Sequence, residues 1–102
     1  MGQEKQINGL LSIARKGNFA IIGLDNIKKQ TRSCNLIIVC DSASEKLKKE
    51  AIYFSNKLQS KLFEINNLAE LIQISNCKIV AIKNIGIANS IIKILEVKKF
   101  DN

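Results

Sequence analysis

The chain contains no histidine, no proline and no tryptophan among its 102 residues. Without histidine it lacks the commonest general base near neutral pH and the commonest metal ligand. Its three cysteines, Cys34, Cys40 and Cys77, are dispersed, odd in number and never arranged as C-x-x-C. That spacing matches no usual zinc pattern and no disulfide framework. Cys40 ends an apolar run and reads as a small buried hydrophobe. Neither a G-x-x-x-x-G-K-[ST] phosphate loop nor a G-x-G-x-x-G turn is present. No apolar run approaches the ~18 residues of a membrane span. The opening Met1-Gly2-Gln3-Glu4-Lys5 passes into an amphipathic pattern, unlike a basic-then-apolar leader. These absences point away from an enzyme and from a membrane protein. They lead us to expect a cytoplasmic chain with no cofactor, no metal and no small-molecule substrate.

What is present suffices for one folded unit. Hydrophobic residues make up 46% of the chain, and its length suits a single domain spanning 1–102. The formal net charge is +7. Residues 1–35 carry six basic side chains against two acidic, so the excess is concentrated there. A basic balance of this kind suits nucleic acid or an acidic surface, although it also serves plain solubility.

The hydrophobic pattern alternates between two periods. Ile7, Leu10, Leu11 and Ala14 recur at helical spacing over residues 4–16, and Gly17-Asn18 supplies a left-handed stop. Phe19–Ile22 is a short strand broken by Gly23. Residues 24–33 read as a helix with Leu24, Ile27 and Thr31 inward. Leu36–Cys40 is a continuous β-branched run, as expected of a strand covered on both faces. Ser42 with Glu45 resembles a capping box for a helix that buries Leu47, Ala51, Phe54 and Leu58. On that helix Lys46, Lys48, Lys49 and Lys57 fall on the solvated face. Leu62–Ile65 is a third strand. Asn67 with Glu70 resembles a weaker cap opening a short helix to about Ile74. Lys78–Ile82 is a fourth strand, Asn84-Ile85-Gly86 a turn, and Ile87–Lys98 a last helix with Ala88, Ile91, Ile92 and Leu95 inward. The alternation predicts an α/β fold with helices on both faces of one sheet.

One segment stands out chemically. Asp25, Lys28, Lys29 and Arg32 are spaced to share one helical face, opposite Leu24 and Ile27. The helix follows a strand and Gly23, so its first amides are free for a phosphate, with Lys28, Lys29 and Arg32 alongside. Asp25 and Asn26 have the acceptor and donor groups that read base edges. The same pattern also fits an acidic residue complementing a helix dipole beside a solvated basic face. Asp41 and Ser42 have no partner beside them that would make either catalytic, and both read as turn or cap residues.

An ordered set of segments carries a resemblance. Leu10-Leu11-Ser12-Ile13-Ala14-Arg15-Lys16, the Gly23–Lys29 turn, Leu36–Cys40, Asp41-Ser42-Ala43-Ser44, Val80-Ala81-Ile82-Lys83 and Gly86-Ile87-Ala88 together resemble the ribosomal proteins that bind RNA kink-turns. This is the "L-seven-Ae" and "L-thirty-e" family, and the likeness is greatest to its short bacterial ribosome-associated members of the YlxQ-like and YbxF-like kind. The resemblance covers nearly the whole chain. It implies a three-layer α/β/α sandwich around a mixed four-stranded sheet, and structured RNA, above all ribosomal RNA in the ribosome, as partner.

The family enters RNA through a G-x-N-E-x-x-K motif. At the matching positions stand Gly23, Leu24, Asp25, Asn26, Ile27, Lys28 and Lys29: the glycine and the final lysine agree, while Asp25 and Asn26 partly exchange donor and acceptor roles. A second family contact maps to the loop before the last strand, here Ser75-Asn76-Cys77-Lys78-Ile79, with Cys77, Lys78 and Ile79 as candidates. The competing expectation is a protein-interaction module on the same fold, with an incidental basic surface.

Overall fold

Nine elements alternate along the chain in this computed structural model, which describes residues 2–30 and 34–100. They are α1 (Gly2–Lys16), β1 (Ala20–Ile22), α2 (Leu24–Lys28), β2 (Leu36–Cys40), α3 (Glu45–Lys57), β3 (Lys61–Ile65), α4 (Leu68–Ile72), β4 (Ile79–Ile82) and α5 (Ile85–Phe100). Every residue of β2 and β4 is buried. A strand apolar on both sides can sit only in the interior of a sheet covered on both faces. The sheet order β1-β4-β2-β3 places these two strands in the middle. β4 runs antiparallel to both β1 and β2, whereas β2 and β3 are parallel, so the sheet is mixed.

The period-2 alternation of the strands divides the core in two. Leu36, Ile38, Cys40, Val80 and Ile82 face one way and pack against α1, α4 and α5 through Leu11, Leu68 and Ile91. Ile37, Val39, Ile79 and Ala81 face the other way and pack against α2 and α3 through Ile27, Ala51 and Phe54. The result is a three-layer α/β/α sandwich: the alternation predicted helices on both faces of the sheet, and the resemblance implied the three layers. No helix among the described residues is long and apolar enough to cross a membrane.

Several local expectations are corrected. α2 stops at Lys28, with Lys29 as its C-cap, so the predicted helix over 24–33 is only five residues long. A helix that short has no stability of its own, and the chain must soon return to Cys34 and Leu36, both fully enclosed in the core. Thr31 and Arg32 lie outside the described residues. Ser44, not Ser42, caps α3, accepting from the Leu47 N–H at 3.1 Å. Asn67 precedes α4 in a left-handed conformation and makes no side-chain cap. At the end of α1 it is Asn18, with φ 60°, that takes the left-handed position. Gly86 belongs to the first turn of α5, whose start is capped by Asn84 Oδ1 accepting from the Ile87 N–H at 2.9 Å.

The two-sided core gives a first expected outcome. Ile38 is fully buried on a central strand, so Ile38→Ala should cost about 2–5 kcal/mol and Ile38→Val about 0.5–1.5 kcal/mol. Urea unfolding would show a lowered midpoint at unchanged slope. A loss below 1 kcal/mol for the alanine variant would contradict the packing described.

Candidate nucleic-acid interface

The antiparallel setting of β4 gathers three chain segments at one end of the sheet. Gly23, just after β1, donates its N–H to the Ile79 carbonyl at 3.1 Å, and Cys40, at the end of β2, donates to the Lys78 carbonyl at 2.7 Å. The turns leaving β1 and β2 therefore lie beside the loop that enters β4. Gly23 has φ 86° and ψ 152°, a backbone conformation open in practice to glycine alone. A Cβ there would meet nothing within 4 Å, so the demand for glycine is conformational and not steric.

Between these segments lies an open cleft of about 240 Å³, lined among others by Gly23, Leu24, Leu47, Cys77, Lys78 and Ile79. The structure thus brings the two sequence-predicted contact regions into one depression, although they are some fifty residues apart in the chain. Within it, Cys77 and Ile79 are almost completely buried. They shape the floor and are not contact side chains, because their chain positions point into the two core layers. Asp25, Asn26, Lys28 and Lys29 stand on α2 beside the cleft and do not line it. Arg32 falls outside the described residues, so the predicted four-residue face is seen only as far as Lys29.

Several polar groups here already have partners. Asn26 donates its side-chain amide to the Ile22 carbonyl at 2.8 Å, which commits one donor and orients the Oδ1. Lys28 lies 3.6 Å from Glu50 of α3. That pair is partly exposed and worth at most about 1 kcal/mol, so a phosphate could displace it. Lys78 donates to the Ser42 hydroxyl at 2.7 Å. Ser42 also lies 3.2 Å from the Cys40 sulfur. Burial alone would raise the Cys40 thiol, but the Ser42 hydroxyl, backbone N–H groups and the Lys78 ammonium outweigh it and lower the pKa. Cys34 and Cys77 go the other way, each raised chiefly by burial. Cys40 is thus buried as expected, yet it sits against polar groups at the rim.

Sequence reasoning missed what holds the second loop in place. Gln73 and Asn76 both adopt left-handed backbone, with φ 62° and 60°. Asn8 donates to the Leu71 carbonyl at 2.7 Å, and Arg15 donates to the Ile72 carbonyl at 3.0 Å. Two polar side chains of α1 therefore cap the carboxyl end of α4 and fix where the loop starts. The asparagine at position 76 was the one available signal, since asparagine tolerates this conformation. Among the described residues no cluster of acidic and thiol groups could hold a metal ion.

No known family profile matches the chain, and no curated protein does. Solved structures do match it. One, from Bacillus halodurans and described as a protein with unknown function, superimposes with a TM-score of 0.70 at 15% identity. The match covers 88% of this chain and 96% of that one. At that identity it shows a shared fold.

The Gly23 geometry gives the second expected outcome. Gly23→Ala should cost about 1–3 kcal/mol from backbone strain alone, with a native circular dichroism spectrum because no atom obstructs the new methyl. Thermal unfolding checks it, and an unchanged midpoint would show that the turn relaxes freely.

Proposed function

We propose that the chain is an RNA-binding protein of the ribosome-associated kind. It would recognise structured, kink-turn-like RNA through the cleft between the Gly23–Asn26 turn and the loop before β4. The observation that supports this most is the meeting of those two segments in one open depression, with Lys78 among its lining residues. At about 240 Å³ the cleft is smaller than the ~300–1,000 Å³ usual for small-molecule sites. An edge or sugar inserted from a larger polymer fits it better than an enclosed metabolite.

In this reading Lys28, Lys29 and Lys78 contact phosphates, Asp25 and the free Oδ1 of Asn26 face base edges, and the partly exposed Leu24 and Leu47 pack under a sugar or base. Direct cationic contacts carry most of the affinity, because a five-residue α2 supplies only a small dipole. The protein-interaction alternative remains the rival to be tested on the same molecule.

Gel-shift titration with a kink-turn hairpin and a mispaired control is the deciding experiment. Three or four phosphate contacts should give a log–log salt slope of about −2 to −4. Lys29→Ala should weaken both RNAs about equally and flatten that slope by about one unit. Asp25→Ala should reduce the preference for the correct RNA by roughly 1–3 kcal/mol. Uniformly tighter binding by Asp25→Ala would remove Asp25 from the recognition set. Failure of either RNA to bind in low salt would return the fold to the protein-interaction reading.

A further inference from the structure

The outer face of α3 has its own composition. Lys46, Lys49, Tyr53 and Lys57 recur at i, i+3, i+7 and i+11, which is one row along a helix. All four are exposed, and Tyr53 is 59% exposed, far more than a tyrosine needs merely to wet its hydroxyl. Ile52 beside it is 54% exposed. The rings of Tyr53 and its neighbour Phe54 stand perpendicular, with centroids 5.0 Å apart and planes at 89°. The Lys57 ammonium lies 5.7 Å from the Phe54 ring centroid, which holds that cation close to the row.

The charges of α3 are divided. Lys48 pairs with Glu64, and Glu50 is taken up by Lys28. Lys46, Lys49 and Lys57 enter no ion pair among the described residues. Glu45, the remaining acid of the helix, sits in its first turn, where it complements the dipole. An aromatic ring this exposed, set among uncompensated cations, is the arrangement that takes a phosphodiester strand with a stacked base. An acidic protein would satisfy the lysines but would leave the aromatic face unused.

We propose that this row is a second RNA surface, which binds a single-stranded segment by stacking one base on Tyr53 and pairing its flanking phosphates with Lys46, Lys49 and Lys57. The row is about 16 Å long. It starts next to Leu47, which lines the cleft, so a strand leaving a folded RNA seated there can run along α3. The choice of RNA as polymer rests on the function proposed above, whereas the stacking surface rests on α3 alone.

Tyr53 is the only tyrosine, and the chain has no tryptophan, so intrinsic emission reports this one ring. The full chain would be titrated with an oligoadenylate of ~12 nucleotides and, separately, with a kink-turn hairpin that lacks a tail. The oligoadenylate should quench the emission. Tyr53→Leu, and Lys49→Gln with Lys57→Gln, should each weaken its binding about tenfold, with Tyr53→Phe restoring affinity. Lys29→Ala, at the C-cap of α2, should leave it unchanged. Oligoadenylate binding without quenching, equal binding by Tyr53→Leu, or no binding at all would each overturn the inference. Equal quenching by polyglutamate would also overturn it and assign the row to an acidic protein. If the hairpin fails to bind while the oligoadenylate quenches, the cleft reading falls and the α3 surface stands. If the hairpin binds and the oligoadenylate does not quench, the reverse holds.

Discussion

The structure depends most on the insertion of β4, reversed, between β1 and β2. Because β4 runs against both neighbours, its entry loop lies level with the exits of β1 and β2. Backbone hydrogen bonds from Gly23 and Cys40 to Ile79 and Lys78 fix that level. A parallel β4 would have carried Lys78 to the opposite end of the sheet, and the depression beside Gly23 would have had one wall. The geometry of the candidate interface is thus a by-product of strand direction, which the antiparallel registers of β4 with β1 and β2 fix.

Charge is handled differently on the two sides of the sandwich. On the face formed by α2 and α3, some lysines are neutralised by acids from neighbouring elements, as in Lys28 with Glu50 and Lys48 with Glu64. These exposed pairs add little stability, but they decide which cations remain available. On the face formed by α1, α4 and α5, polar side chains serve the backbone as well. Asn8 and Arg15 satisfy carbonyls at the end of α4, groups that a helix leaves unpaired. Lys61 ties the edge strand β3 to α5 through Glu96 at 2.9 Å.

The large features of this fold were legible because they follow from periodicity. Leu36–Cys40 could be read as a strand covered on both faces and Lys78–Ile82 as a strand, both from apolar runs, and Ala88, Ile91, Ile92 and Leu95 as a buried stripe from helical spacing. The order of strands was not legible in composition or spacing, and the family resemblance implied only a mixed four-stranded sheet. Caps were the weakest point: Ser42 and Ser44 lie two residues apart, either can accept from a helix N–H, and only backbone geometry chooses. The length of α2 was overestimated because Lys28, Lys29 and Arg32 keep helical spacing past the residue where the chain turns. Of the site, Gly23 and Lys78 could be placed from sequence, but the burial of Cys77 and Ile79 could not, since it depends on α3 and α4 closing over them.

Strand order also sets a timetable for synthesis. Ala20 of β1 pairs with Ile82, so the first strand to leave a ribosome waits about sixty residues for a partner. At ~5–20 residues per second that interval is roughly 3–12 s, much longer than the ~0.1–1 μs of helix formation. During it β2 can already pair with β3, while the β1 edge and the inner edge of β2 both remain open. The nascent chain therefore passes through a state with two unsatisfied strand edges, the form of exposed backbone most prone to pairing with a neighbour. The shortness of β1, only three residues, limits how much of that edge is presented while the chain is incomplete.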